Sequence, residues 1–462
     1  MMHGARASIL DAVGETPIVK LSRVVPSDLA AEIYVKCEFM NPAGSMKDRV
    51  AVHMVRKAEE DGRLKPGGTL VEATSGNTGA GLAMVAAAKG YRAIFVIPDK
   101  VSQEKLLTLR AWGAKVVVCP SGVEPNDPRS YHSVARRMAE ETPGAVLLDQ
   151  HHNASNPEGH YASTGPEIWA QTKGELDVFV AGMGTGATLT GVGRYLKEQR
   201  ADIQLVGVDP VGSVYYDFAK HGLVTRPFSY KVEGIGAEFF SPTMDVRLLD
   251  DCVRVDDREC FMMTRDLVRL EGIFAGGSAG AAVAGAIKWA RARNRKERIV
   301  VLLPDGAGRY LSKIFNDEWM RENGFADEPT LGTVRELLAL RPQTLVTARS
   351  DETLRTVIGK MKQHGVSQLP VVDGEQLKGI VSEVEVLRNL VSGEAHLDAP
   401  IDRILDSDYA GVTPDTRIDL LKSVLADAKV AIVTDGPKLL GLVSKIDVID
   451  YLSRRMSESQ SA

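Results

Sequence analysis

Thr69-Leu70-Val71-Glu72-Ala73, then Thr74-Ser75-Gly76-Asn77-Thr78-Gly79, then an alanine-rich run from Ala80 to Lys89, read in order as strand, polar turn and helix. A strand passed through a short turn to a helix is the unit from which helix-covered parallel sheets are built. Strand patterns at Ile33 to Cys37, Ala93 to Ile97, Lys115 to Cys119, Gln204 to Val208 and Ile299 to Leu303 repeat that alternation. Residues 1–325 are therefore predicted to be α/β with twisted parallel sheets. The turn places hydroxyls, an amide and backbone N–H groups at the positive end of a helix, which suits a carboxylate. Taken alone it is equally an ordinary helix start capped by Thr or Ser.

Upstream lies Asn41-Pro42-Ala43-Gly44-Ser45-Met46-Lys47-Asp48-Arg49. Pro42 and Gly44 set a turn, Ser45 leaves room for close approach, and a helical run from Asp48 to Glu60 puts Lys47 at a helix start. The positive helix end opposes an ammonium and favours the neutral amine, the nucleophile that forms a Schiff base with an aldehyde such as pyridoxal phosphate. As an exposed helix-end side chain, Lys47 is expected to contribute little to stability.

Downstream, Asp177 to Ala181 precedes Gly182-Met183-Gly184-Thr185-Gly186-Ala187-Thr188 and a helix to about Gln199. Glycines let the backbone curl around a phosphate in front of a helix N-terminus. Gly182, Gly184 and Ala187 also fit a loose dinucleotide fingerprint, with Asp209 at the end of the next strand as its acid. No Gly-Lys-Ser/Thr follows, so a Walker loop is excluded. The dinucleotide reading leaves Lys47 and the Thr74 to Gly79 turn without roles, whereas a phosphorylated aldehyde cofactor uses all three segments. A fourth glycine turn, Phe274-Ala275-Gly276-Gly277-Ser278, opens a helix through Ala290. Ser278 either caps that helix or meets the cofactor's ring nitrogen as a neutral hydroxyl, which makes the ring a weaker electron sink.

With these segments the chain resembles the cystathionine β-synthase and cysteine synthase family of fold-type II pyridoxal-phosphate enzymes over residues 8–325. Gly14-Glu15-Thr16-Pro17, the lysine segment, Thr74 to Gly79, Gly184 to Thr188, Gly234-Ile235-Gly236 and Gly276-Gly277-Ser278 carry the resemblance. It implies that Lys47 binds pyridoxal 5'-phosphate covalently and that Asn77 contacts the ring hydroxyl. Gly184, Thr185, Gly186, Ala187 and Thr188 would hold the phosphate, and Ser278 the ring nitrogen. Thr74, Ser75, Gly76, Asn77 and Thr78 would bind the substrate carboxylate with Gln150, and Gly234 and Gly236 would complete the substrate site.

The 462 residues exceed one ordinary core, and 44% hydrophobic with 25% charged residues is a globular composition. A net charge of −5 gives no basis for nucleic-acid binding. No apolar run is long enough to span a membrane, and Met1 to Ser8 lacks the apolar core of a secretory signal, so a cytoplasmic protein is expected. Cys37, Cys119, Cys252 and Cys260 form no close pair of metal-ligand type; they are expected to be reduced core residues, with no metal site.

Residues 326–332 are predicted as a linker, 333–455 as a second region and 456–462 as a tail. Gln368 to Gly374 with Leu377 to Glu385 is echoed by Ala431 to Gly436 with Leu440 to Asp447. Each copy reads as strand, turn, strand and then a helix opened by a hydroxyl with an acid three residues on, which is a capping box repeated by duplication. The region resembles an α/β Bateman module of two CBS motifs, about 333–394 and 397–455. That resemblance implies an adenosyl ligand, S-adenosylmethionine before an adenine nucleotide, near Ser367, Gln368, Ser382, Glu385, Ser444, Ile446 and Asp447. Ser367 stands where adenosylmethionine-regulated members are expected to carry an acid.

The implied reaction is β-replacement: serine with homocysteine gives cystathionine, while an activated serine such as O-acetylserine with sulfide gives cysteine. The fused module favours the first, with hydrogen sulfide from cysteine as a side activity. Ala237-Glu238, where cystathionine-forming members usually carry Tyr-Asp, and Thr164 to Trp169 lean toward cysteine synthases. A homodimer or homotetramer is expected. The haem-binding extension of animal members is not expected, and His3 is no substitute for it. Outside this class stand a nicotinamide-dependent oxidoreductase built on Gly182 to Ala187 and an adenosyl-nucleotide sensor built on 333–455.

Overall fold

The computed structural model describes residues 4–459 apart from 75, 100, 122, 124–126, 327–330, 341–344, 375, 408, 428–429 and 437. Ser75, His3 and most of the expected linker thus lie outside the described residues. The chain divides into two compact units, Met1–Ala326 and Asp327–Ala462.

In the first unit β1 (Ile18–Lys20), β2 (Glu32–Cys37), α1 (Lys47–Glu60), β3 (Thr69–Ala73) and α2 (Asn77–Lys89) come first. They are followed by β4 (Arg92–Pro98), α3 (Gln103–Ala111), β5 (Lys115–Cys119), α4 (Tyr131–Glu141), β6 (Ala145–Leu147), α5 (Ser155–Gly159) and α6 (Gly165–Thr172). Next are β7 (Val178–Gly182), α7 (Ala187–Gln199), β8 (Gln204–Pro210), α8 (Tyr215–His221), β9 (Asp251–Val255) and α9 (Asp257–Glu271). The unit ends with α10 (Gly277–Arg293), β10 (Arg298–Leu303) and α11 (Asp317–Glu322). A π-helical turn, His160–Thr164, joins α5 to α6.

These strands form two sheets, in the orders β1-β2-β10-β7-β8-β9 and β5-β4-β3-β6. All pairings are parallel except β1 with β2. Strict alternation explains the near-continuous apolar runs, because both faces of each sheet are covered. In β10, Ile299, Val301 and Leu303 enter one core and Val300 and Leu302 the other; Val178 and Val180 against Phe179 and Ala181 do the same in β7. In β4, Phe95 and Ile97 face one core of the smaller sheet and Ile94 and Val96 the other. The three short or polar strands β1, β6 and β9 escape a reading based on apolar runs. The four cysteines are buried and unbridged, and burial pushes the Cys37 thiol up to about 11.

Small residues in α2 serve close packing: a Cβ at Gly81 would stand 3.0 Å from the Lys47 carbonyl of α1. Asn77, Thr78 and Gly79, expected in the turn, form the first turn of α2. α1 likewise begins at Lys47, one residue earlier than expected.

The second unit contains α12 (Val334–Leu340), α13 (Leu354–His364), β11 (Gln368–Asp373), β12 (Gln376–Ser382) and α14 (Glu383–Ser392). β13 (Tyr409–Val412), α15 (Ile418–Asp427), β14 (Val430–Asp435), β15 (Lys438–Ser444) and α16 (Lys445–Ser459) follow. β11 pairs antiparallel with β12, and β14 with β15; both ladders slip register at corresponding places, Val371/Val372 and Val433/Thr434. A shared bulge is what duplication of one unit produces. Where β13 runs parallel to β14, the first copy has, among the described residues, a single parallel bridge between Ala348 and Val371. No helix among the described residues is long and apolar enough to cross a membrane.

Candidate active site

The lysine loop is anchored before the helix begins. Gly44 N donates to Asn41 O at 2.8 Å, Ala43 N to Asp48 Oδ2 at 2.6 Å and Met46 N to Pro304 O at 2.8 Å, while Ser45 bridges Asp305. Lys47 itself is buried, not the exposed helix-end side chain expected from sequence. Burial lowers its pKa from 10.5 to about 8, with the charge of Glu72 opposing. Desolvation is thus the main cause of the shift, where helix polarity was the expected one. Glu72, carried by β3, is pushed up to about 8 by the same burial, against hydrogen bonds from the backbone N–H groups of Gln150 and Asp149.

Lys47 opens onto a cavity of about 430 Å³. Asn77, Thr78, Gln150, Gly184, Thr185, Gly234 and Gly236 share its wall. A narrower recess behind it is bounded by Lys47, Gly184, Thr185, Gly186 and Thr188. Gly186 has φ 73°, and a Cβ there would overlap Met244, so this turn admits only glycine. Ala187 starts α7, leaving its first N–H groups free of intrahelical partners. Thr188 Oγ1 meets His160 Nε2 at 3.2 Å, and Thr243 Oγ1 donates to Thr185 O at 2.7 Å. These bonds stiffen the loop from both sides.

Ser278 is completely buried, and its hydroxyl does not cap α10, whose N-cap is Gly276. Its Oγ and the Oδ1 of Asn77 are buried with no hydrogen-bond partner among the described residues. A Cβ at Gly234 would sit 3.5 Å from that Oγ. Buried polar atoms are normally paired, so two orphans beside one cavity point to a ligand that pairs them. Asn77 uses its Nδ2 on Asp305 Oδ2 at 2.7 Å.

At the turn expected to hold a carboxylate, Thr74 directs its hydroxyl inward, accepting from Gly76 N at 3.0 Å and Gly79 N at 3.3 Å. These bonds support the turn and leave the Thr74 O–H free to donate, which is compatible with the expected substrate contact. Gly76 has φ 126°, and a Cβ there would come within 2.8 Å of the Lys105 side chain. Thr78 Oγ1 donates to Gln150 Oε1 at 2.6 Å, joining the start of α2 to the segment after β6.

Asp209, the acid of the dinucleotide reading, is fully buried and accepts from Tyr216 N at 2.8 Å. It holds the start of α8, and its carboxyl is pushed up to about 7 by burial. Glu72, Asp305 and His151 were missed from sequence; an acid inside the apolar run of β3 was the only local signal, and it concerned Glu72 alone.

In the second unit Gln368 faces Ser382 across the β11–β12 ladder, and Ser367 O accepts from Glu383 N at 2.9 Å. Ser382 Oγ accepts from Glu385 N at 3.3 Å, and Glu385 pairs with Arg388 at 2.8 Å. In the second copy Ser444 N and Oγ donate to Asp447 Oδ2 at 2.9 and 2.5 Å, beside an exposed Ile446. The hydroxyl–acid pairs therefore first serve their own helix starts.

Residues 9–305 match the family described as pyridoxal-phosphate dependent enzyme, and residues 334–392 match the CBS domain. The chain is 37% identical to cystathionine beta-synthase of Dictyostelium discoideum, over 98% of this chain and 93% of that protein. It is 35% identical to cystathionine beta-synthase of Saccharomyces cerevisiae, over 97% of this chain and 98% of that protein. Among solved structures, O-ureido-L-serine synthase superposes with a TM-score of 0.62 at 38% identity, covering 70% of this chain and 98% of that one. A hydrogen sulfide-producing enzyme from Fusobacterium nucleatum gives 0.62 at 32% identity, covering 66% and 100%. The expected fold class, an α/β catalytic region followed by an α/β CBS domain, is the one found. Likeness over nearly the whole chain thus agrees with a cavity built around a buried lysine: the chain belongs to the pyridoxal-phosphate dependent enzymes, in the family of the cystathionine beta-synthases.

Proposed function

We propose that the protein joins the β-carbon of L-serine to the sulfur of L-homocysteine, forming L-cystathionine. The observation that carries this reading is the buried Lys47 amine opening onto the cavity walled by Asn77, Thr78 and Gln150, in a chain whose full-length relatives bear the name cystathionine beta-synthase. The residues fit pyridoxal phosphate, since Ser278 Oγ and Asn77 Oδ1 are buried orphans at the same site. When bound, that cofactor supplies an aldehyde for the Lys47 amine and an electron-withdrawing ring that stabilises negative charge at Cα of an amino acid.

The chain's own groups divide the remaining work. Gly184 to Thr188 and the N-terminus of α7 bind the phosphate. Ser278 offers the ring nitrogen a neutral hydroxyl, and Asn77, oriented by Asp305, meets the ring hydroxyl. Thr78, Gln150 and the backbone at Gly76 orient the donor's carboxylate, with Gly234 and Gly236 lining the opposite wall. Lys47 Nζ takes the Cα proton, for which it must be neutral, and as the resulting ammonium it can return one. With a pKa of about 8, roughly a tenth of the free amine is neutral at pH 7, against well under a hundredth for an ordinary lysine.

The CBS domain supports regulation, for which an adenosyl compound, S-adenosylmethionine before an adenine nucleotide, bound at Ser367, Gln368, Ser382, Glu385, Ser444, Ile446 and Asp447 is the favoured ligand. A cytoplasmic homo-oligomer completes the reading. Cysteine synthesis from an activated serine and sulfide is the second reading, favoured by Ala237-Glu238. Likeness to a structure named as a hydrogen sulfide-producing enzyme supports release of that gas from cysteine.

Steady-state rates with serine or O-acetylserine against homocysteine or sulfide test the assignment. Serine with homocysteine is expected to give the largest kcat/KM; a clear preference for O-acetylserine with sulfide overturns it. Ser278→Asp is expected to change the bound cofactor's absorption and lower β-replacement, because a carboxylate stabilises a protonated ring nitrogen. Unchanged spectra and rates would remove Ser278 from the site.

A further inference from the structure

The ladder between β3 and β6 ends in a side chain. The two strands pair in parallel from Thr69 with Ala145 to Val71 with Leu147, and Leu148 N then donates to Val71 O at 3.1 Å. A parallel ladder would next bring Gln150 N to Ala73 O. Instead Gln150 N donates to Glu72 Oε1 at 3.2 Å, Asp149 N donates to the same carboxyl, and Ala73 O is met by Gln150 Nε2 at 3.4 Å. Asp149 makes this possible with φ 50°, a left-handed conformation uncommon outside glycine that lets two successive N–H groups converge on one acceptor. Asn156 Nδ2 to Gln150 O at 2.7 Å and Asn153 Nδ2 to Leu148 O at 2.8 Å also hold the turn. Gln150, so fixed, accepts from Thr78 Oγ1 at 2.6 Å and keeps an amide N–H for the donor's carboxylate.

Glu72 stands behind the cavity wall rather than in it. It is 1% exposed, and its Oε2 has no hydrogen-bond partner among the described residues. The donors it does have are backbone amides, not cations. The titratable groups that face it are Lys47 from α1, Tyr131 from α4 and Asp149 on the turn. Burial outweighs the amide bonds and the charge of Lys47 and pushes the carboxyl up to about 8, so that it is mostly uncharged at pH 7. A neutral acid can hold amide N–H groups without setting a negative charge behind a site that must receive a carboxylate, where like charges would repel.

Resting on the function proposed above, we propose that Glu72 is a positioning residue for the donor amino acid: as an uncharged acid it extends the β3–β6 ladder by one rung and fixes Gln150 against the donor's carboxylate. It touches neither substrate nor cofactor and acts through the turn at Asp149 and Gln150. Ionising it leaves the amide bonds in place but adds a charge that opposes the substrate; removing it frees the turn.

The test uses the full-length, cofactor-loaded protein and its Glu72→Gln and Glu72→Leu variants, with serine added alone and its apparent affinity read from the change in the cofactor's absorption. Glutamine keeps the acceptor oxygen and the shape of the neutral acid at every pH, whereas leucine removes the acceptor. Glu72→Leu is expected to weaken serine binding about tenfold at pH 7, the scale of a lost hydrogen bond to a charged group. Glu72→Gln is expected to restore it to within about threefold of wild type. As pH rises through about 8 the wild type alone gains the opposing charge, so the ratio of Glu72→Gln to wild-type affinity should climb several-fold. A readout independent of substrate is the infrared difference between wild type and Glu72→Gln: a protonated carboxyl band is expected at pH 7 and should fade as pH passes about 8. Wild-type affinity in Glu72→Leu, an affinity ratio that stays flat with pH, or no protonated carboxyl at pH 7 overturns the proposal; if Glu72→Leu does not fold, the ratio and the infrared band decide. A wild-type protein that shows no response to serine overturns the underlying function, and this inference with it.

Discussion

Asn77 Nδ2 donates to Asp305 Oδ2 across 2.7 Å, and the Tyr310 hydroxyl donates to the same oxygen at 2.5 Å. One buried carboxylate after β10 therefore orients the first residue of α2 and leaves the other end of the Asn77 amide for a ligand. The two partners lie 228 residues apart in sequence.

Replacing that carboxylate strands two donors. Asp305→Ala is expected to lower stability by about 2–4 kcal/mol, since an unsatisfied buried group costs about 1–3 kcal/mol. It should also weaken cofactor retention by freeing Asn77 to rotate. Thermal unfolding together with visible absorption after dialysis measures both effects; an unaltered cofactor affinity would show that Asn77 needs no orientation.

Lys47 has its folded-state pKa below the unfolded value, about 8 against 10.5. Between those limits the unfolded chain binds more protons, so stability rises with pH across that window, and below it the full burial cost is in force. In the cofactor-free protein, Lys47→Met is expected to raise stability at pH 7 by about 2–3 kcal/mol. That advantage should fade between pH 8 and 10.5. The same variant should have no β-replacement activity. Denaturant titrations at several pH values check the sign, and an advantage that grows with pH would contradict the burial of a cation here.

In the first turn of the lysine helix, Arg49 binds Glu38 through Nε and Nη2 at 2.8 Å each and Glu167 through Nη1 and Nη2 at 2.8 and 2.9 Å. Lys36 also pairs with Glu167. Burial works to raise the Glu167 carboxyl, but the hydrogen bonds and charges of Arg49 and Lys36 outweigh it and hold the pKa at about 2. The stability this supplies is complete above pH 4.5 and is lost as pH falls through about 2. Arg49→Met is expected to cost about 3–5 kcal/mol by leaving the buried Glu38 carboxylate without its guanidinium partner, and a double change with Glu38→Leu should cost less. Urea unfolding of the single and double variants decides; equal losses would mean that packing around Arg49, not its charge, is what matters.

The hydroxyl–acid pair Ser444 and Asp447 tests the second unit. Asp447→Ala is expected to weaken binding of S-adenosylmethionine at least about tenfold, the effect of about 1.4 kcal/mol, while leaving basal catalysis within about twofold. Deleting residues 331–462 should leave a yellow, active catalytic unit. Calorimetry on the full chain and rates on the deletion check these outcomes, and equal binding by Asp447→Ala would remove it from the ligand site. A ligand that alters catalysis must bind the two activity states unequally, so binding and activation should move together.

Much of the architecture is legible locally. Strand and helix alternation, the glycine turns and the repeated strand–strand–helix unit rest on side-chain period and turn chemistry within about a dozen residues. The misses have local causes too. β9 alternates charged and apolar residues in Asp251-Cys252-Val253-Arg254-Val255, and Asn77 to Gly79 look like a turn because three helix-poor residues open α2.

The sequence by itself marked the residues proposed to carry the chemistry: Lys47 before its helix, the glycine loop at Gly184 to Thr188, Ser278 and the turn from Thr74 to Thr78. Only the tertiary structure decided their state. Lys47 holds its proton less tightly because the walls around it exclude water, Thr74 turns inward because the donors of Gly76 and Gly79 lie there, and Ser278 and Asn77 each keep an atom without a partner among the described residues because distant segments close over them. Burial and through-space pairing join residues hundreds of positions apart, and neither leaves a local mark on the chain.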